Sequence, residues 1–95
     1  MRLYAIKDDV IGFTGAVMTA QNDDQIIRMM AATVNAGDEN QMAMWPKDFS
    51  AWHIGELDKV DGHLTEMQPQ LVCRADSLVK MVEKVVKENE VRDSV

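Results

Sequence analysis

His53, His63 and Cys73 are the only imidazoles and the only thiol in this 95-residue chain, and together they raise the question of zinc. A structural zinc site takes four nitrogen or sulfur ligands, usually in closely spaced pairs. Here there are three candidates, none close to another in sequence, so no metal ligand is assigned. The paired acids Asp8/Asp9, Asp23/Asp24 and Glu56/Asp58 raise a second question, that of acid–base or hard-cation chemistry. The first pair ends an apolar run and the second opens a helical one, so both have structural roles. Glu56 and Asp58 share one face of an expected strand and are the best carboxylates for a cation, but no further acidic partner accompanies them. No nucleophile elbow and no phosphate-cradling glycine loop is present. The residues therefore predict no catalytic group, no metal and no cofactor, and the protein is expected not to be an enzyme.

Aromatic residues offer a different chemistry. Trp45, Phe49 and Trp52 flank Lys47, and aromatic rings beside cations stack on the bases of single-stranded nucleic acid. Phe49, just before an expected strand, and Trp52, within it, are read as core anchors. Trp45 and Lys47 lie outside it and, with Lys7 at the end of the first strand, are the expected contacts for nucleic acid or a partner.

Charge limits that reading. The formal net charge is −6, and the Lys and Arg residues are scattered among carboxylates, whereas proteins that neutralise phosphates usually carry a basic face. The lone Cys73 fits a reducing compartment, where a single thiol is commonly a small buried hydrophobe. No apolar run approaches the ~18 residues that span a bilayer. The opening MRLYAIKDD meets charge too early for the core of a signal peptide. Cytosolic residence is expected.

The elements that must position these groups follow from periodicity. Leu3 to Ile6 reads as a strand, with Leu3 and Ala5 on one face and Tyr4 and Ile6 on the other. Gly15 to Ala20 reads as a weaker second strand. Asn22 is a good N-cap, Asp23 and Asp24 suit the first turn, and Gln25 takes the capping-box position. Ile26, Ile27, Met30 and Val34 then recur at helical spacing, predicting a helix over 23–35 that stops at Gly37. Residues 37–44 read as a loop, and Ser50 to Lys59 as a main strand in which Gly55 signals a bulge or a close backbone approach. Asp61-Gly62 predicts a two-residue hairpin pairing Val60 with His63 and Leu57 with Glu66, with Pro69 ending the pairing. From Asp76 or Ser77 to about Val91 the pattern is helical again.

These elements give an α+β domain in the order β(β)αββα, with a small antiparallel sheet of three to four strands. Residues 1–72 form the expected core, and residues 73–95 a C-terminal helix packing on it or on a second subunit. Strands apolar on both sides call for a cover on both faces, one supplied by helix 23–35. A homodimer is expected, because a chain this short gains most by burying surface between subunits.

LYAIKD at the start, QNDDQIIR opening the helix, VN near its end, and PKDFSAWHIGELDKVDG followed by a polar strand and a proline form an ordered set. Over roughly residues 1–72 this set resembles the small nonstructural protein of gokushovirus-type microviruses, which are single-stranded DNA phages. The departures are local: Ala16-Val17 stands where the family commonly has Pro-Phe, Asp24 where it often has Ala, and Trp52 and Leu57 where it often has Tyr and Phe.

The resemblance implies a nonenzymatic accessory protein that assists viral DNA replication or single-stranded genome packaging in the host bacterial cytoplasm. Its implied partners are single-stranded DNA or viral replication and packaging proteins, with no membrane. The alternative is a dimeric adaptor that binds a viral or host protein and never touches nucleic acid.

Overall fold

The computed structural model describes residues 1–79. Four strands, β1 (Arg2–Asp8), β2 (Gly12–Ala20), β3 (Phe49–Leu57) and β4 (Leu64–Arg74), form one antiparallel sheet in the order β2-β1-β3-β4. Helix α1 (Asp23–Val34) follows β2 and carries the chain across one sheet face, so that β3 returns on the opposite side of β1. The class is α+β, with more helical pieces than expected. A short helix α2 (Gln41–Met44) and a 3-10 turn (Pro46–Asp48) occupy the segment read as a loop.

Local chemistry explains the boundaries. The side chain of Asn22 accepts the Gln25 N–H at 3.1 Å, and the Gln25 side chain reaches back to accept the Gln21 N–H at 2.8 Å. One orphaned helix-start donor, the Gln25 N–H, is thereby satisfied, and the chain just before the cap is tied to the first turn. Ile26, Met30 and Val34, one helical repeat apart, form the buried stripe of α1. They meet Tyr4, Ile6, Phe49 and Ala51 from the sheet, together with Ala20, Ala75 and Leu78. Burying an aliphatic side chain of this size contributes roughly 1.5–3 kcal/mol, and this one layer is the described core. Asn40 caps α2 through the Ala43 N–H at 2.8 Å and donates to the Thr33 carbonyl at 2.9 Å, tying α2 to the end of α1.

The β3–β4 turn differs from the sequence expectation. Leu57 pairs with Leu64, and Glu66 opposes Gly55 rather than Leu57. Asp58 causes the shift: its carboxylate accepts the Val60 N–H at 2.8 Å and the Asp61 N–H at 3.3 Å, and its own N–H donates to the His63 carbonyl. Those bonds favour a wider turn over a two-residue loop. Nor does Pro69 end the pairing. β4 runs on to Arg74, because it is an edge strand and the register is already irregular between His53 and Gly55, where a missing N–H is tolerated.

Residues 75–79 are helical and send Ala75 and Leu78 into the same core. The rest of the expected C-terminal helix lies outside the described residues. Among the described residues only the face toward α1 is covered, and the second cover expected from the C-terminal helix or a second subunit falls outside them.

Candidate partner interface on the open sheet face

The uncovered face is built from strand alternation. Tyr4 and Ile6 turn toward α1, which leaves Leu3, Ala5 and Lys7 on the other side of β1. In register across all four strands stand Val17, Ala5, Trp52 and Leu71. The neighbouring row is Phe13, Lys7, Ser50 and Arg74. Val17 keeps 54 % of its surface exposed, Leu71 49 % and Phe13 48 %, so large apolar side chains face solvent on both edge strands, β2 and β4, with Ala5 and Trp52 between them. Scattered exposed apolar residues are ordinary, but a contiguous group marks an interaction site.

Two rings and a cation organise this face. The rings of Phe13 and Trp52 meet edge-on, 6.3 Å apart at 71°. The Lys7 ammonium lies 5.8 Å from the Phe13 centroid and 5.5 Å from that of Trp52, inside the ~6 Å range of cation–π attraction. The Trp52 indole N–H donates to the Ser50 hydroxyl at 2.8 Å, which fixes the ring. Ser50 is fully buried beneath this group. The arrangement depends on an irregular register. Between Ala5 and Lys7 the β1–β2 pairing shifts, Gly15 takes a φ of +89°, and the Thr14 hydroxyl bonds the Ile6 carbonyl. That bulge brings Phe13 opposite Lys7.

The covered face holds a polar network instead. The Tyr4 hydroxyl donates to Asp23 Oδ1 at 2.7 Å, and Arg2 Nη1 reaches the same oxygen at 2.8 Å. Burial, followed by the bond to Asp23, pushes the Tyr4 phenol up to about 12. The Tyr4 bond, and then Arg2, hold Asp23 below the usual carboxylate range. His53 is buried; its Nε2 lies 3.1 Å from the Gly55 carbonyl and 3.0 Å from Glu56 Oε1. His63 is exposed at the β3–β4 turn.

Glu56, Asp58, Asp61 and His63 line one groove of about 460 Å³. Asp58 and Asp61 are engaged in holding the turn. No group of three or more His, Cys, Asp or Glu side chains suited to a metal ion occurs among the described residues. Cys73 is half-buried, with Sγ 3.7 Å from the Met30 sulfur, and burial raises its pKa.

Of the expected contacts, only Lys7 belongs to the aromatic face. Trp45 is 53 % exposed and lines a separate groove of about 390 Å³ with Ile11, Asp8 and Asp48, and neither Lys7 nor Lys47 lines it. The Lys47 side chain is exposed, and its backbone carbonyl accepts from Arg74 Nη2 at 2.7 Å. Arg74 also pairs with Asp9 at 2.9 Å, so its charge is engaged. Phe49 is buried in the core as expected. Trp52 is not a core anchor, since it stands on the open face beside Phe13. Sequence reasoning missed Phe13 altogether. The available signal was a phenylalanine beside a glycine in a weak strand, and only the bulged register turns it into a partner for Trp52.

No described helix is long and apolar enough to cross a membrane. No curated protein and no solved structure gives a significant match to the chain. Over residues 1–78 the sequence matches the family described as Phage ORF5 protein, and the chain belongs to that phage family.

Proposed function

We propose that this protein is a nonenzymatic accessory factor of a gokushovirus-type microvirus that acts in the host bacterial cytoplasm. It assists viral DNA replication or single-stranded genome packaging by holding single-stranded DNA on its open sheet face. Family membership supports the phage setting. The observation that carries the contact is the Phe13–Trp52 pair with Lys7 over both rings. Bases stack on aromatic faces regardless of sequence, each contributing ~1–3 kcal/mol, and a nearby ammonium answers the phosphate. With a net charge of −6, affinity rests on stacking more than on charge, and binding is correspondingly weak, with only a shallow salt dependence.

The same net charge favours a second reading, an adaptor that offers this apolar face to another protein. Titration of a fluorescent oligonucleotide of about 16 nucleotides at low and raised salt separates the two. Phe13→Ala and Trp52→Ala are each expected to weaken binding roughly 5- to 150-fold, the equivalent of ~1–3 kcal/mol. Lys7→Ala lowers the salt slope by about 0.7. No binding by the wild type at low salt overturns the DNA contact and leaves the adaptor. A loss on Trp45→Ala or Lys47→Ala, with Phe13→Ala silent, moves the contact to the Trp45 groove.

A further inference from the structure

The two edges of the sheet are not alike. β4, at one edge, carries Glu66, Pro69 and Arg74 and has two register shifts against β3. Charge, proline and bulges are the devices that keep an edge strand from pairing with another chain. β2, at the other edge, reads GFTGAVMTA, nine residues with no charge and no proline in a chain that is 27 % charged. Its one protective feature is the bulge at Gly15, where the Ala16 N–H is satisfied by the Thr14 hydroxyl. Beyond the bulge, from Val17 to Ala20, the strand pairs with β1 in unbroken register. Val17 and Thr19 are exposed, and Met18 is partly buried against the core. Among the described residues nothing pairs with the outer side of this segment.

We propose that β2 pairs antiparallel with β2 of a second copy of this chain about a two-fold axis near Met18, joining two four-stranded sheets into one of eight strands. A two-fold axis there sets Val17 of each copy against Thr19 of the other, on the open face. A second copy is the occupant this edge suits. Two chains of net charge −6 repel over most of their surfaces, and an uncharged strand is where they can approach. An antiparallel pair of identical strands also satisfies both sets of outward N–H and C=O groups at once.

The consequence bears on the proposed function and rests on that reading. Pairing at β2 places the two open faces side by side on one continuous sheet, so two Phe13–Trp52–Lys7 groups lie along one surface for a single strand to follow. The pairing segment, four residues from Val17 to Ala20, is only ~14 Å long at ~3.4 Å per residue. That is too short to bury the ~1,200 Å² of a standard stable interface, and the dimer is reversible with concentration.

The test is solution mass by light scattering over a concentration series, with amide hydrogen exchange on the same samples. Mass is expected to rise from one chain toward two, with amides in residues 16–20 gaining protection as it does while the outer edge of β4 does not. Thr19→Lys sets a cation on each edge strand near its copy, and is expected to hold the protein monomeric with its circular dichroism unchanged. Three results overturn the dimer: a monomer at every concentration, a dimer whose β2 amides stay unprotected, or β2 amides protected equally in the monomer, the last meaning that the chain covers its own edge. If Thr19→Lys misfolds, the concentration-dependent protection of the wild type decides alone. Oligonucleotide binding is read separately, so a monomer that binds DNA sinks the dimer and spares the function, and a dimer that does not bind does the reverse.

Discussion

Replacing Gly55 by alanine tests the register on which the open face depends. Gly55 is buried in β3, and a Cβ built there falls 2.6 Å from the Thr65 carbonyl oxygen, 3.6 Å from its carbon and 3.7 Å from Glu66 Cα. All three are backbone atoms of β4, so no side chain can swing aside. Restoring even the tightest contact that Cβ atoms ordinarily make, 3.0 Å, requires the strands to part by about 0.4 Å. Overpacking of this kind costs ~1–3 kcal/mol. An opposing effect is the loss of unfolded-state freedom on Gly→Ala, worth ~0.4–1 kcal/mol. It applies here because the backbone at Gly55 lies outside the positive-φ region. The net is a destabilisation of about 1–2 kcal/mol, or a fall in Tm of roughly 4–16 °C for a domain of this size. Thermal melting by circular dichroism measures it, and hydrogen exchange locates the loosening at the β3–β4 ladder. An unchanged or raised Tm would refute the reasoning, because it would mean that β4 does not approach Gly55 as described.

Tyr4→Phe removes a buried hydroxyl that donates to Asp23, and its effect depends on pH. The folded phenol holds its proton to about 12 while the unfolded one releases it near 10. Stability from this group is therefore complete below pH ~10 and is lost as pH rises toward ~12, by up to about 2.7 kcal/mol. Urea melts across that window should show the loss in the wild type and a smaller one in Tyr4→Phe, and equal losses would exclude Tyr4 as the cause. Met30→Ala empties the fully buried centre of the α1 stripe and should cost ~2–5 kcal/mol. It should also speed thiol labelling of Cys73, whose sulfur rests against Met30; an unchanged labelling rate would argue against that contact.

What the sequence made legible was mostly local. Asn22 with Gln25, and the spacing of Ile26, Met30 and Val34, are short-range signals, and α1 ends within a residue of its expected limit. Gly55 signalled a close backbone approach because glycine in a strand interior has few other reasons to be there, and Thr65 supplies it. Apart from the short helical pieces at 41–48, the failures were of register. Asp61-Gly62 suggested a two-residue loop, but the Asp58 carboxylate competes for the same N–H groups and sets the turn two residues wider. Trp52 was assigned to the core because it is large and apolar. Which face it takes is fixed relative to Ala51 and His53, and the side toward α1 went to those two. The Phe13–Lys7 pairing depends on an extra length of β2 at Gly15. No pattern within one strand reveals such a bulge.

The same register also supports the proposed contact at the open face. A face destined for solvent in a sheet of this kind would alternate to polar residues, and β4 partly does so. β1, β2 and β3 do so less, with Lys7, Thr19 and Ser50 as polar members of that face. Leu3, Ala5, Phe13, Val17 and Trp52 hold apolar or aromatic side chains there, and Lys7 lies over rings and forms no ion pair with a carboxylate among the described residues. The described arginine ion pairs, Arg2 with Asp23 and Arg74 with Asp9 and Asp76, sit at the start of α1 and at the corner beside the 3-10 turn. An ammonium kept over two rings, among exposed apolar side chains and away from carboxylates, suits a ligand that brings both flat apolar surface and negative charge. A nucleic acid strand has both on every nucleotide.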